Sequence, residues 1–177
     1  MLLIGLSLTA WRATELADTI RQRAAERFEL QVRQLETDIA LRFKRPEQPL
    51  RGARGLFEAY PDADRLHFQQ WLASRDLQSE LPGLRGIGFI QPVVPGALDA
   101  LIQRERRQGA PDFKLKGVAG APLHPQRPYI IRFVEPRGAN RGAIGLDIAS
   151  ESTRKAAADL AAQLGDPVLT GVITLVQ

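Results

Sequence analysis

Between residues 13 and 43 the apolar positions Leu16, Ile20, Ala24, Phe28, Val32, Leu35 and Ile39 recur at steps of three or four, with no Gly or Pro among them. That spacing draws one stripe down a continuous helix, about 45 Å long at about 1.5 Å per residue. Arg45-Pro46 ends it, because a residue before proline is pushed out of helical geometry. The steps of four drift from a strict heptad, so the helix reads as a stalk whose stripe is free to meet a partner chain. Before it, Met1 to Trp11 is uncharged and strongly apolar, and Arg12 closes the run. A membrane span needs roughly 20 such residues, and Trp11 beside Arg12 suits an interfacial anchor. Residues 1–12 therefore read as the end of a transmembrane helix; the soluble alternative is a buried helix start.

Downstream the period changes. Leu50 to Tyr60 predicts a short helix interrupted by glycine, and Pro61-Asp-Ala-Asp64 supplies turn and cap residues for a helix over Arg65 to Asp76. Its expected anchors are Leu66, Phe68, Trp71 and Leu72. After Pro82-Gly83, residues 84–92 predict a strand with Ile87 and Phe89 on one face. Gly96 to Gln108 predicts a helix with Leu98, Leu101 and Ile102 inward and Arg104-Glu-Arg-Arg107 as a solvated face. Phe113 to Lys116 alternates like a half-exposed strand, 117–128 reads as loop, and Tyr129 to Val134 as a strand. A turn over 135–141 leads to a strand over Ala143 to Ile148. Ser150 is the expected cap of a helix from about Glu151 to Leu164, with Leu160 and Leu164 on one side, and Gly165-Asp-Pro167 stops it. The β-branched run Val168 to Val176 predicts a final strand. Helices first, then strands mixed with two helices, give an α+β class with an antiparallel sheet.

Composition narrows the chemistry. The 177 residues suffice for one domain with a helical appendage. A hydrophobic share of 44% beside 25% charged residues is ordinary globular composition. The net charge is +4, and its densest basic cluster is broken by Glu105. Nucleic-acid binders mass basic residues on one element, with aromatics interleaved, so nucleic acid is not an expected partner. Cysteine is absent, which removes disulfides, thiol nucleophiles and thiolate-bound metal. The two histidines, His67 and His124, stand alone and read as surface or loop residues rather than ligands. Ser150 lacks a base nearby in sequence, and Gly142-Ala-Ile-Gly145 lacks the third glycine of a dinucleotide loop. No catalytic residue, metal or cofactor is expected.

One carboxylate stands out. Asp147 lies inside the apolar run Ala143 to Ile148, where an unpaired charge is expensive. Either a backbone N–H or an arginine satisfies it, with Arg132, Arg137 and Arg141 the candidates, or it faces a pocket and awaits a ligand's donor. Those arginines could alternatively pair with an anionic ligand.

Taken in order, Arg51-Gly-x-x-Gly-Leu-Phe, Phe68-x-x-Trp71, Leu84-x-Gly-Ile-Gly-Phe, Tyr129, Glu135-Pro136, Asn140, Gly145-Leu-Asp-Ile-Ala-Ser150 and Val168-Leu-Thr170 form a recognisable set. The set resembles the CHASE domain, the extracytoplasmic sensory module of bacterial histidine kinases and nucleotide cyclases and of plant cytokinin receptors. The resemblance implies a stalk helix over 13–46 leading from the membrane into a PAS-like sensory domain over 47–177. The family pattern normally continues past Gln177 into further strands, so the domain is expected to be truncated there. It also implies a small-molecule pocket: the aspartate matching Asp147 bonds the ligand in plant receptors, and the residue matching Leu169 lines the pocket. Thr170, Tyr129, Ile131, Phe133 and Phe89 complete the expected ligand-binding set. The expected partners are an unknown small molecule, a second copy joined through the stalk helix, and the inner membrane, with the domain on its periplasmic or extracellular side. A structural or dimerisation module without a small ligand is the alternative function.

Overall fold

The computed structural model describes residues 2–175 in two compact units, residues 1–46 and 47–177. The first unit is helix α1 (Leu2–Lys44). With no helix breaker after Gly5, it runs uninterrupted for about 65 Å. Its stripe is unburied: Ile20 is 58% exposed and Phe28 66%, and Leu35 and Ile39 are equally open. Among the described residues no helix is long and apolar enough to cross a membrane. The expected membrane segment over residues 1–12 concerns side chains that, except for Trp11, lie outside the described ones.

The second unit opens with α2 (Glu47–Ala59) and α3 (Arg65–Ala73). The glycines expected to break α2 do not. Gly52 instead permits close contact, since a Cβ there would lie 3.2 Å from the Trp71 ring. Asp64 caps α3 by accepting the His67 N–H at 3.0 Å, and the His67 ring reaches back to complete a capping box. Phe68 and Leu72 are buried as expected, but Leu66 is exposed. A short helix α4 (Leu77–Glu80) precedes strand β1 (Ile87–Pro92) and helix α5 (Leu98–Arg107). Then follow β2 (Lys116–Gly117), β3 (Tyr129–Glu135), the short α6 (Arg137–Asn140), β4 (Leu146–Asp147) and α7 (Ser152–Leu164). Gly165 at φ 68° ends α7 in the left-handed conformation that glycine adopts without strain.

The fold is α+β, with a sheet in the order β1-β3-β4-β2. The sheet is mixed rather than wholly antiparallel: β1–β3 and β3–β4 are antiparallel, and β2–β4 is parallel. The parallel pair depends on a close crossing, because a Cβ on Gly145 (φ +79°) would fall 2.0 Å from the Lys114 carbonyl oxygen. The strand expected over 113–116 shrinks to two residues because Phe113 turns inward under α5. The strand expected over Val168 to Val176 is absent through residue 175, and 176–177 lie outside the described residues. A strand needs a ladder, and this segment pairs with none. Val172 is fully exposed, and Thr174 is held through its carbonyl by Arg154 Nη2 at 2.6 Å.

Strand β3 serves three clusters. Ile130 packs with Val93, Leu101, Ala110 and Phe113 beneath α5. Phe133 joins Phe68, Leu72 and Ile87, with Phe57 and Phe89 stacked alongside at 3.8 Å between centroids. Tyr129 and Ile131 meet Ile148, Ala149 and Ala158 of the α7 region. The β1–β3 register skips Arg132, pairing Phe89 with Phe133 and Ile90 with Ile131. Such a bulge re-aims one side chain. Arg132 Nε donates to Glu105 Oε1 at 2.6 Å, and Arg65 Nη2 donates to Glu105 Oε2 at 3.3 Å. Arg104, Arg106 and Arg107 form the expected solvated face, but Glu105 between them is fully buried.

Removing the carboxylate should leave two buried guanidinium groups uncompensated. Glu105→Gln is expected to cost about 3 kcal/mol, against less than about 0.5 kcal/mol for Arg104→Gln. Urea denaturation with m-values compared measures both; equal midpoints for the two variants would refute the role given to Glu105.

Candidate functional site

Asp147 ends the two-residue strand β4, opposite Ile130 of β3, and is fully buried. Its partners are neither an arginine nor an opening but three backbone N–H groups from three segments. Oδ1 accepts from Tyr129 at 2.7 Å and from Ala149 at 2.9 Å, and Oδ2 accepts from His124 at 2.7 Å. Bonds from N–H groups to an ionised carboxylate are the stronger kind, and here they fix the start of β3, the 117–128 loop and the turn into α7 together. The notion that Arg132, Arg137 or Arg141 pairs with Asp147 fails. Arg132 is committed to Glu105 and to Gln91 Oε1, the latter at 3.0 Å, and Arg141 is exposed.

The residues after Asp147 extend the same joint. Ser150 does not cap α7; its hydroxyl donates to the Asp147 carbonyl at 2.6 Å and accepts the Val118 N–H at 2.7 Å. The cap is Glu151, whose carboxylate accepts from Thr153 at 2.8 Å and Arg154 at 3.0 Å, and those two bonds lower its pKa. Both histidines serve local backbone geometry. His67 closes the capping box of α3, and His124 Nδ1 accepts the Arg127 N–H at 3.1 Å. Among the described residues, no group of three acidic or histidine side chains is placed to hold a metal.

The seven residues expected to touch ligand fall into three places. Tyr129 and Ile131 share the α7 side of the sheet in the cluster with Ile148 and Ala158, and Asp147 is tied to them through the Tyr129 N–H bond. Phe89 and Phe133, 5.3 Å apart between ring centroids, belong to the aromatic cluster with Phe57 and Phe68, where Phe133 is fully buried. Leu169, 71% exposed, and Thr170 lie on the irregular segment after α7 and join neither cluster. A separate open groove of about 350 Å³ lies between α2 and the end of α7, lined by Leu50, Arg51, Arg54, Ala161, Ala162 and Pro167. Arg51 meets Asp166 at 2.8 Å and Arg54 donates to the Gly165 carbonyl at 2.7 Å beside it. None of the seven lines this groove.

Tyr129 adds a polar link missed at the sequence level. Its hydroxyl donates to Asp159 Oδ1 at 2.5 Å, and Lys155 Nζ holds the other oxygen. The i, i+4 spacing of Lys155 and Asp159 was the available signal. The bond to Asp159 raises the Tyr129 pKa above its ordinary value, with burial adding to it. A raised folded value means that this contribution to stability is complete below the unfolded tyrosine pKa and is lost as pH rises through the folded one. In a Tyr60→Phe background, ultraviolet titration should place the Tyr129 transition above about pH 10. Asp159→Asn should move it down; an unmoved transition would break the link.

Comparison with known proteins gives one family. The family model described as the CHASE domain matches residues 61–177, most of the chain and all of its sheet. No curated protein matches the chain.

Proposed function

Because the chain belongs to the CHASE domain family, a sensory domain of receptors that is extracytoplasmic in them, we propose that it binds a small molecule outside the cytoplasm as part of a membrane receptor. The output module is of the histidine kinase or nucleotide cyclase type, at the inner membrane of the cell. The observation that carries the reading is the family match across the whole sheet and α7. The address we propose is the α7 side of β3, a reading supported by Tyr129 and Ile131 adjoining the Asp147 joint and by the apolar surface of half-buried Ile131. Leu169 and Thr170 are exposed, so they are available to close over a ligand. Asp147 acts there chiefly by holding the His124 and Tyr129 backbone in place, since both its oxygens already accept bonds.

Signalling requires that the ligand bind two states with different affinity. The long helix α1, with its apolar stripe unburied along Ile20, Phe28, Leu35 and Ile39, is the element suited to carry that difference to a second copy and across the membrane. A second reading, a structural module that dimerises without any small ligand, is favoured by one feature. Asp147 and Phe133 are fully buried and already engaged within the protein.

Calorimetric screening of metabolites separates the two. The sensory reading expects a ligand with a dissociation constant below about 100 µM, about 5.5 kcal/mol of binding, weakened at least tenfold by Ile131→Ala or Leu169→Asp. A complete screen without binding would favour the structural module. Sedimentation tests the helix separately: the chain should self-associate, and Ile20→Ser with Phe28→Ser should abolish it. A monomer at high concentration would remove α1 as the dimer contact.

A further inference from the structure

The junction of α3, α5 and β3 holds more positive than negative charge. Arg65, Arg132 and Arg137 stand against Glu105 and Glu135. Both Glu105 oxygens are taken by Arg132 and Arg65. Both Glu135 oxygens are taken too, by Gln69 Nε2 at 2.7 Å and by the Arg137 N–H at 3.0 Å. Arg65 is only 5% exposed, yet among the described residues its Nε and Nη1 have no acceptor. Among the same residues the buried Nε of Arg137 has none either. Arg137 reaches over the end of α5, with Nη1 3.5 Å from the Gly109 carbonyl, one turn beyond Glu105. Burial, and then the Arg137 charge against the pull of Glu105 and Glu135, lowers the Arg65 pKa. A guanidinium nevertheless keeps its proton in proteins, so relief by neutralisation is closed. An unsatisfied donor on a buried charge is costly, and the surplus here is one positive charge.

We propose that a small monovalent anion of the halide class sits against Arg65, bonded by Arg65 Nη1 and by Arg137 Nε. The donor arrangement selects the class. A planar carboxylate is gripped along the edge formed by Nε and Nη2. Here Nη2 is spent on Glu105 and on the Arg132 carbonyl, the latter at 3.1 Å. One donor nitrogen from each of two guanidinium groups suits a spherical ion, which needs no paired edge. The competing occupant is a water molecule bridging the guanidinium to Gln108 Oε1, which is also buried and has no partner among the described residues.

Thermal melts of the full chain in chloride and in bromide, each exchanged for gluconate at constant ionic strength, distinguish the two. Saturable stabilisation of roughly 4 °C or more between about 1 mM and 200 mM halide is expected. Arg137→Gln should flatten that dependence, and Arg141→Gln, an exposed arginine on the same connection, should preserve it. Crystals grown in bromide should show an anomalous peak beside Arg65. Melting temperatures indifferent to the anion, or a dependence that survives Arg137→Gln unchanged, would overturn the site and leave water in its place.

Discussion

A buried carboxylate must find donors, and in this domain Asp147 finds three, all of them backbone N–H groups. Each belongs to a different segment, so one side chain sets where the 117–128 loop, the first residue of β3 and the turn into α7 sit relative to one another. Ser150 and Glu151, the third and fourth residues after Asp147, extend the joint by serving further backbone donors and the Asp147 carbonyl. The crossing that brings β4 beside β2 needs Gly145 at positive φ against Lys114. A side chain at that glycine would push apart the segments that Asp147 draws together.

Strand β3 is the second organising element because each stretch of it enters a different cluster. Ile130 lies under α5, Phe133 lies among the aromatics of α2 and α3, and Tyr129 with Ile131 lies beside α7. The bulge at Arg132 breaks the alternation so that one charged side chain can turn to Glu105. A buried ion cluster of this kind contributes less to net stability than to fixing which groups meet. Here it fixes the approach of α3 and α5 to the central strand.

Features governed by local rules were legible in the sequence. The α1 stripe, the Asp64 cap, strands β1 and β3 and the Gly165 stop each follow from spacing or from one residue's conformational preference. Features that depend on a distant partner were not. The β-branched run after α7 has strand composition but no ladder, and Phe113 left its expected strand for the core. Ser150 looked like a cap, but the Glu151 carboxylate, one residue on, took the helix N-terminus. Glu105 was hidden in a basic cluster, although it lies four residues after Leu101 on the buried side of α5. Its complement, Arg132 inside an apolar strand, was the visible half of the pair. For Asp147 the sequence showed the need for a partner and left three kinds open; the backbone supplied it, through residues 2, 18 and 23 positions away.

Membership in a sensory family and a carboxylate that braces the backbone are compatible, because a receptor pocket needs walls held in one register. The most direct test of that brace is native-state hydrogen exchange on Asp147→Ala, read residue by residue. The account predicts that the His124, Tyr129 and Ala149 amides lose at least tenfold more protection than the β1–β3 ladder, whose loss reports the global change in stability. Equal loss at all of these amides would contradict it, and Asp147 would then be an ordinary buried residue rather than the joint of the fold.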